Sequence, residues 1–164
     1  MIISGSTLLG IVIANSFSKR VKELFDIKTF LTVFETSMSD IGMHTEDILQ
    51  STRQYMKTGI KQIISNIYSD MQTEYPDLLE KSWEEQIIKN RGKLSLTDQD
   101  IDTFISIGKF LGNTGLENQK KHIQHMIGVI DKQMEHAVTQ RDKNKKIALN
   151  FGVLGGLMIT LMLM

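Results

Sequence analysis

Charge is absent from both ends of this 164-residue chain. Its 19 basic and 19 acidic side chains all fall between Lys19 and Lys146. Residues 1–18 and 147–164 carry none. A single water-soluble globule has no reason to segregate charge in this way, whereas a hydrocarbon layer excludes charge. The chain therefore divides into an N-terminal anchor over 1–18, a charged domain over 19–146 and a second apolar segment over 147–164.

The second segment runs Ile147, Ala148, Leu149, Asn150, Phe151, Gly152, Val153, Leu154, Gly155, Gly156 and on to Met164. As a helix rising about 1.5 Å per residue it reaches about 27 Å, against roughly 30 Å of hydrocarbon in a bilayer. A buried C-terminal core helix is the alternative, but a core helix of this length usually keeps a polar edge. The first segment mixes Ser4, Ser6, Thr7 and Asn15 with Ile2, Ile3, Leu8, Leu9, Ile11, Val12 and Ile13. Its rival reading is a secretory signal peptide, which carries its basic residues before the apolar run. Here Lys19, Arg20 and Lys22 come after it, which favours an uncleaved anchor.

Flanking positive charge stays on the cytoplasmic side of a membrane. Lys19, Arg20, Lys22 and Lys28 follow the first span, and Arg141, Lys143, Lys145 and Lys146 precede the second. Both clusters face the middle of the chain. That domain is expected in the cytoplasm, with both termini across the membrane. Ser6, Gly10 and Ala14 are spaced by four, as are Gly152 and Gly156. Small residues at this spacing let transmembrane helices approach closely; glycine merely tolerated in lipid fits the spacing equally.

The central 19–146 stretch is long enough to bury its own core. The chain is neutral overall, which gives nucleic acid no handle. Without Cys there is neither a disulfide framework nor a thiolate metal site. One Pro among many Leu, Ile, Met, Lys, Glu and Gln favours helix. Leu24, Ile27, Leu31, Phe34, Met38 and Ile41 step by three and four, as on a coiled-coil seam, up to a break near Gly42. Ile48, Leu49 and Met56 suit a short second helix with Thr45 as its N-cap. A third carries Ile60, Ile63, Ile64, Ile67 and Met71. Pro76 opens a fourth with Leu78, Leu79, Trp83, Ile87 and Ile88 inward.

A loop over 90–95 leads to Thr97, an N-cap followed by Asp98, Asp100 and Asp102 at the positive end of a fifth helix. Ile101, Phe104, Ile105, Gly108 and Leu111 give its buried side. After a turn over 112–115, a long last helix carries Leu116, Ile123, Met126, Ile130, Met134 and Ala137 on one face and continues through Lys146. The expected fold is all-α: an antiparallel bundle of about six helices with a transmembrane helix at each end. Its first and last helices should pair as a stalk, since both reach the same membrane face.

Chemistry-bearing patterns are weak. The run from Asp98 to Asp102 imitates a calcium loop, but Thr103 and Lys109 stand where Gly and Glu are needed. His122, His125 and His136 share a helix without a visible further ligand. Gly92-Lys93 is followed by Leu94 and lacks the upstream Gly of a phosphate-binding loop. Glu84-Glu85 reads as a solvated face beside Trp83. Neither an enzyme activity, a cofactor, a metal nor a small-molecule substrate is expected.

The ordered stretch Leu96-Thr97-Asp98-Gln99-Asp100-Ile101, Ile107-Gly108-Lys109-Phe110-Leu111-Gly112 and Gln119-Lys120-Lys121-His122-Ile123 resembles the stage III sporulation protein AB family. Trp83 stands where that family places an upstream Trp, and Phe34-Glu35 is similar to the Leu-Glu of its first helix. Residues 151–157 resemble its terminal Leu-Gly-x-Leu-Gly-Gly-Leu span. Ile107 replaces a Phe, Gly115 stands where Asp is common, and His44-Thr45-Glu46 replaces a Thr-Pro-Leu turn. The resemblance implies a subunit of the mother-cell channel complex needed for spore development, similar to F-type platform proteins of type II secretion. It implies membrane, a secretion-type ATPase and other channel-complex proteins as partners. Glu35, Trp83, Asp100, Gly108, Leu111, Gly112 and Gln119 are the motif residues carried over. Gly108 and Gly112 are read as close-packing or helix-ending residues, Asp100 and Gln119 as caps. A membrane-anchored signalling or adaptor protein would use the same helices; a membrane-bound hydrolase would need a catalytic pair that the sequence lacks.

Overall fold

The computed structural model describes the backbone over 2–38, 43–74, 79–111 and 115–163, and side chains over 15–38, 43–73, 79–111, 115 and 117–147. Among these residues six α-helices follow one another: α1 (Ile2–Thr36), α2 (Thr45–Thr52), α3 (Gly59–Glu74), α4 (Leu79–Asn90), α5 (Asp98–Gly108) and α6 (Leu116–Leu163). Single 3₁₀ turns, Arg53–Tyr55 and Arg91–Lys93, end α2 and α4. The chain is all-helical, as its breaker-poor composition requires.

Two helices far outrun the rest. At about 1.5 Å per residue, α1 is roughly 50 Å long and α6 roughly 70 Å. They lie side by side and antiparallel. Arg20 meets Gln140, Lys28 meets Asp131, and Glu35 meets Gln124. Advancing along α1 thus retreats by nearly equal steps along α6. On α6 the buried positions are Gln119, Ile123, Met126, Ile130, Gln133 and Ala137, spaced alternately by four and three. That spacing is the seam of a two-helix coil.

On α1 the expected seam is buried from Leu24 to Met38, and Ile41 lies outside the described residues. Phe30, off that seam, is also fully buried. The reason is that α1 packs not only on α6 but also on α2 and α3. The third helix pairs with α4, α4 with α5, and α5 closes onto α6. The short helices therefore form a cap along one flank of the long pair. Ile48, Leu49, Met56, Ile60, Ile63, Ile64, Ile67 and Met71 are buried as their spacing predicts.

Where the chain enters α5, Thr97 accepts a hydrogen bond from the Asp100 N–H, and the Asp100 carboxylate accepts one from the Thr97 N–H. This capping box satisfies two of the helix's free donors. Thr97→Ala is expected to lower stability by about 1 kcal/mol, measurable as a shift in the urea midpoint at unchanged slope.

Two expectations change. The residue with extended backbone before α2 is His44, while Thr45 already lies in the helix, so Thr45 is not the cap. Ile88 is 55% exposed; one residue on from buried Ile87, it is turned about 100° around the helix and cannot share its face. The expectations at Gly42, Pro76, Leu78 and Gly112 lie outside the described residues. Among the described residues, no helix is long and apolar enough to cross a membrane. The side chains of 1–14 and 148–164, including Ser6, Gly10, Ala14, Gly152 and Gly156, lie outside the described residues.

Candidate functional site

The most unusual feature of the bundle is a row of charges buried along α1, at Arg20, Glu23 and Asp26. Arg20 holds the start of α5 and a turn of α6, while Glu23 and Asp26 each hold a connecting segment. Charged groups cost several kcal/mol each to bury unless paired, so their partners explain why they are tolerated.

Arg20 donates from Nε to Asp100 Oδ2 at 2.7 Å and from Nη2 to Asp100 Oδ1 at 3.2 Å. Its remaining terminal nitrogen, Nη1, donates to Gln140 Oε1 at 2.7 Å. One guanidinium thus ties α1 to the start of α5 and to α6. The two parallel bonds to one carboxylate use the planar fork that lysine lacks. Asp100 is fully buried and also holds the Thr97 N–H, so the α5 cap and the ion pair share one side chain.

Glu23 Oε2 accepts from the Ser95 N–H at 2.7 Å, which pins the strand-like segment before α5. Its Oε1 has only the Lys19 ammonium nearby, at 3.6 Å. Burial raises the Glu23 carboxyl above the usual carboxylate range, and the Ser95 bond and the Lys19 charge only partly offset it. Asp26 Oδ2 accepts from the Lys57 N–H at 2.8 Å and the Thr58 N–H at 2.7 Å, holding the entry to α3.

Because the folded carboxyl of Glu23 binds its proton more tightly than the unfolded one, the unfolded state ionises first as pH rises. Stability is therefore fullest below the ordinary carboxylate range and falls as pH rises from there through the raised folded value. Glu23→Gln keeps an acceptor for Ser95 and removes the buried charge. It is expected to erase that mildly acidic slope and to leave neutral-pH stability equal or higher in urea titrations across pH. A loss at neutral pH would show instead that the pair with Lys19 outweighs burial.

The other motif residues build a second centre. Trp83 is fully buried and donates from Nε1 to Phe104 O at 2.7 Å. Its ring lies 5.4 Å from Phe30 and 5.3 Å from Phe104, and Phe30 lies 5.6 Å from Phe34. Gly108 faces the indole: a Cβ built there would fall 2.5 Å from Trp83 Cδ1. Gly108 is the last residue of α5 but keeps an ordinary backbone, so the close approach to Trp83, not a left-handed turn, is what calls for glycine there. Leu111 is buried in the same core.

Glu35 accepts from Gln124 at 2.7 Å on the surface of the long pair. Gln119 is buried with its Nε2 unpartnered. Asp100 and Trp83 are thus joined through α5, while Glu35 and Gln119 stand apart from them.

In the sequence Arg20 stands among the basic residues flanking the first apolar segment, whereas in the structure it is buried. Stepping the seam back from Ile27 by three and then four reaches Leu24 and Arg20, a signal that pointed to burial. His122, His125 and His136 are exposed, and His122 stacks on Phe110 at 4.1 Å. Among the described residues no cluster of His, Cys, Asp or Glu is arranged to hold a metal ion.

The comparisons agree on one relationship. A family model described as Stage III sporulation protein AB matches residues 1–164. A protein of Bacillus subtilis (strain 168) named Stage III sporulation protein AB is 24% identical over 166 residues, covering 99% of this chain and 95% of its own length. No solved structure matches the chain.

Proposed function

The chain belongs to the stage III sporulation protein AB family, and from that premise we propose that it is a non-catalytic platform subunit of the mother-cell-to-forespore channel complex. Family membership supports a role in sporulation. The finer reading is that residues 1–18 and 147–164 anchor it in the mother-cell membrane. The 19–146 bundle then lies in the cytoplasm and docks a secretion-type ATPase to the membrane components.

The observation that carries this reading is the continuity of the two long helices. The first runs unbroken from Ile2 to Thr36 and the last from Leu116 to Leu163. Each passes from a charge-free segment into the charged bundle without a hinge. A displacement of the bundle is then transmitted along both helices, since a packed helix pair moves as a rigid element. A docked motor would find in this pair a lever.

The test is purification of the full chain from membranes of sporulating cells, with and without cross-linking. A secretion-type ATPase is expected to co-purify and to be lost when only residues 19–146 are deleted. Absence of the ATPase after cross-linking would overturn the platform reading and favour an adaptor.

A further inference from the structure

The end of the bundle nearest the apolar segments is basic beyond what the two helices alone supply. Lys19 is the first charge after the uncharged 1–18 segment, and its ammonium donates to the Lys93 carbonyl at 2.7 Å. That bond brings the Arg91–Lys93 turn, 74 residues away in sequence, to the base of α1. Glu23 holds the next residues through Ser95. Arg91, Gly92 and Lys93 are all exposed there. On the facing helix, Gln140 is bonded to Arg20 and is followed within two turns by exposed Lys143, Lys145 and Lys146.

The local charges are unevenly matched. Arg91 pairs with Asp98 and Arg141 with Asp142. Lys93, Lys143, Lys145 and Lys146 have no acidic partner among the described residues. Asp142, the last acid before the apolar run, is held below the usual carboxylate range by its bond from Arg141, and the charges of Lys145 and Lys146 add to that. The chain is neutral as a whole, so this surplus is a property of one end.

We propose that the Arg91–Lys93 turn and Lys143, Lys145 and Lys146 form a basic collar that rests on anionic phospholipid headgroups of the membrane surface. This rests on the anchoring read above. The occupant follows from charge and position: a lysine held beside a negatively charged bilayer surface gains about 1 kcal/mol, or roughly fivefold in partition. The collar would fix the tilt of the bundle, because the turn lies off the axis of the long pair and adds a third point of contact.

The chain has no Cys, and a Cβ at Gly92 or Gly128 meets nothing within 4 Å. Gly92→Cys and Gly128→Cys therefore each give one thiol for an environment-sensitive fluorophore. The full chain is placed in nanodiscs of phosphatidylcholine, with or without phosphatidylglycerol, that contain a headgroup spin-labelled lipid as quencher. The label at 92 is expected to be quenched and shifted to the blue only with phosphatidylglycerol. High salt should reverse this, and each of Lys93→Gln, Lys145→Gln and Lys146→Gln should weaken it about fivefold. The label at 128, about 27 Å further along α6 from Lys146, should stay unquenched throughout. Quenching at 92 that ignores lipid charge or salt, or that never exceeds quenching at 128, overturns the collar in a chain that stays in the disc after an alkaline wash. A chain that washes out overturns the anchoring itself, and the collar with it.

Discussion

Replacing Trp83 by alanine is expected to lower stability by about 3–5 kcal/mol. The indole is fully buried at the meeting point of α4, α5 and α1. Its removal leaves a cavity, two lost ring contacts and a Phe104 carbonyl without its donor. Gly108→Ala attacks the same contact from the other side. The new methyl would sit 2.5 Å from Cδ1, 2.6 Å from Cγ and 2.9 Å from Cβ of Trp83. Because the overlap reaches the root of the indole, a rotamer change does not relieve it, and a loss of about 1–3 kcal/mol is expected. With Trp83→Ala already present, the overlaps at Cδ1 and Cγ are gone and only the 2.9 Å approach to the retained Cβ is left. The helix preference of alanine offsets part of that by up to about 1 kcal/mol, so the cost of Gly108→Ala should fall well below its value beside the indole. Urea titration of the four proteins in this cycle checks the coupling. Additive losses would mean that the two residues do not touch.

The second large effect is expected at Arg20. Arg20→Met keeps the apolar stem but leaves the fully buried Asp100 carboxylate without its cation. Breaking a buried pair in this way costs about 3–5 kcal/mol. Asp100→Asn in the same chain removes the stranded charge while keeping an oxygen for the Thr97 N–H, and should restore a large part of the loss. The pair between Lys28 and Asp131 serves as the comparison. Both of its members are partly exposed, and Lys28→Met should cost no more than about 1 kcal/mol. If Arg20→Met were as mild as Lys28→Met, the row of buried charges on α1 would have no structural weight.

The helices were legible because their signals are local. The three–four spacing of Leu24 to Met38, the Thr97 cap and the proline-free run after Leu116 each dictate a helix within a few turns. The pairing of α1 with α6 was also legible, from two long apolar seams that were expected to meet one membrane face. What could not be read was partnership across distance. Arg20 looks like any flanking arginine until Asp100, 80 residues on, is placed beside it. Asp26 gives no local sign that it caps the entry to a helix 33 residues later. Ile88 failed for a simpler reason: two adjacent isoleucines were assigned to one face that admits only the first. Among the motif residues, Gly108 is called for by its close approach to Trp83, while Gln119 is buried with its Nε2 unpartnered.

Whether the bundle lies in the cytoplasm between two membrane anchors is decided by the topology of the full chain. Gly128→Cys, Ser4→Cys and Met164→Cys chains, each with a single thiol, are exposed in intact cells to a membrane-impermeant thiol reagent. Labelling is expected at 4 and 164 from outside and at 128 only after permeabilisation, with the chain retained in membranes through alkaline carbonate. Release by carbonate, or labelling of position 128 in intact cells, would contradict a cytoplasmic bundle held between two membrane anchors.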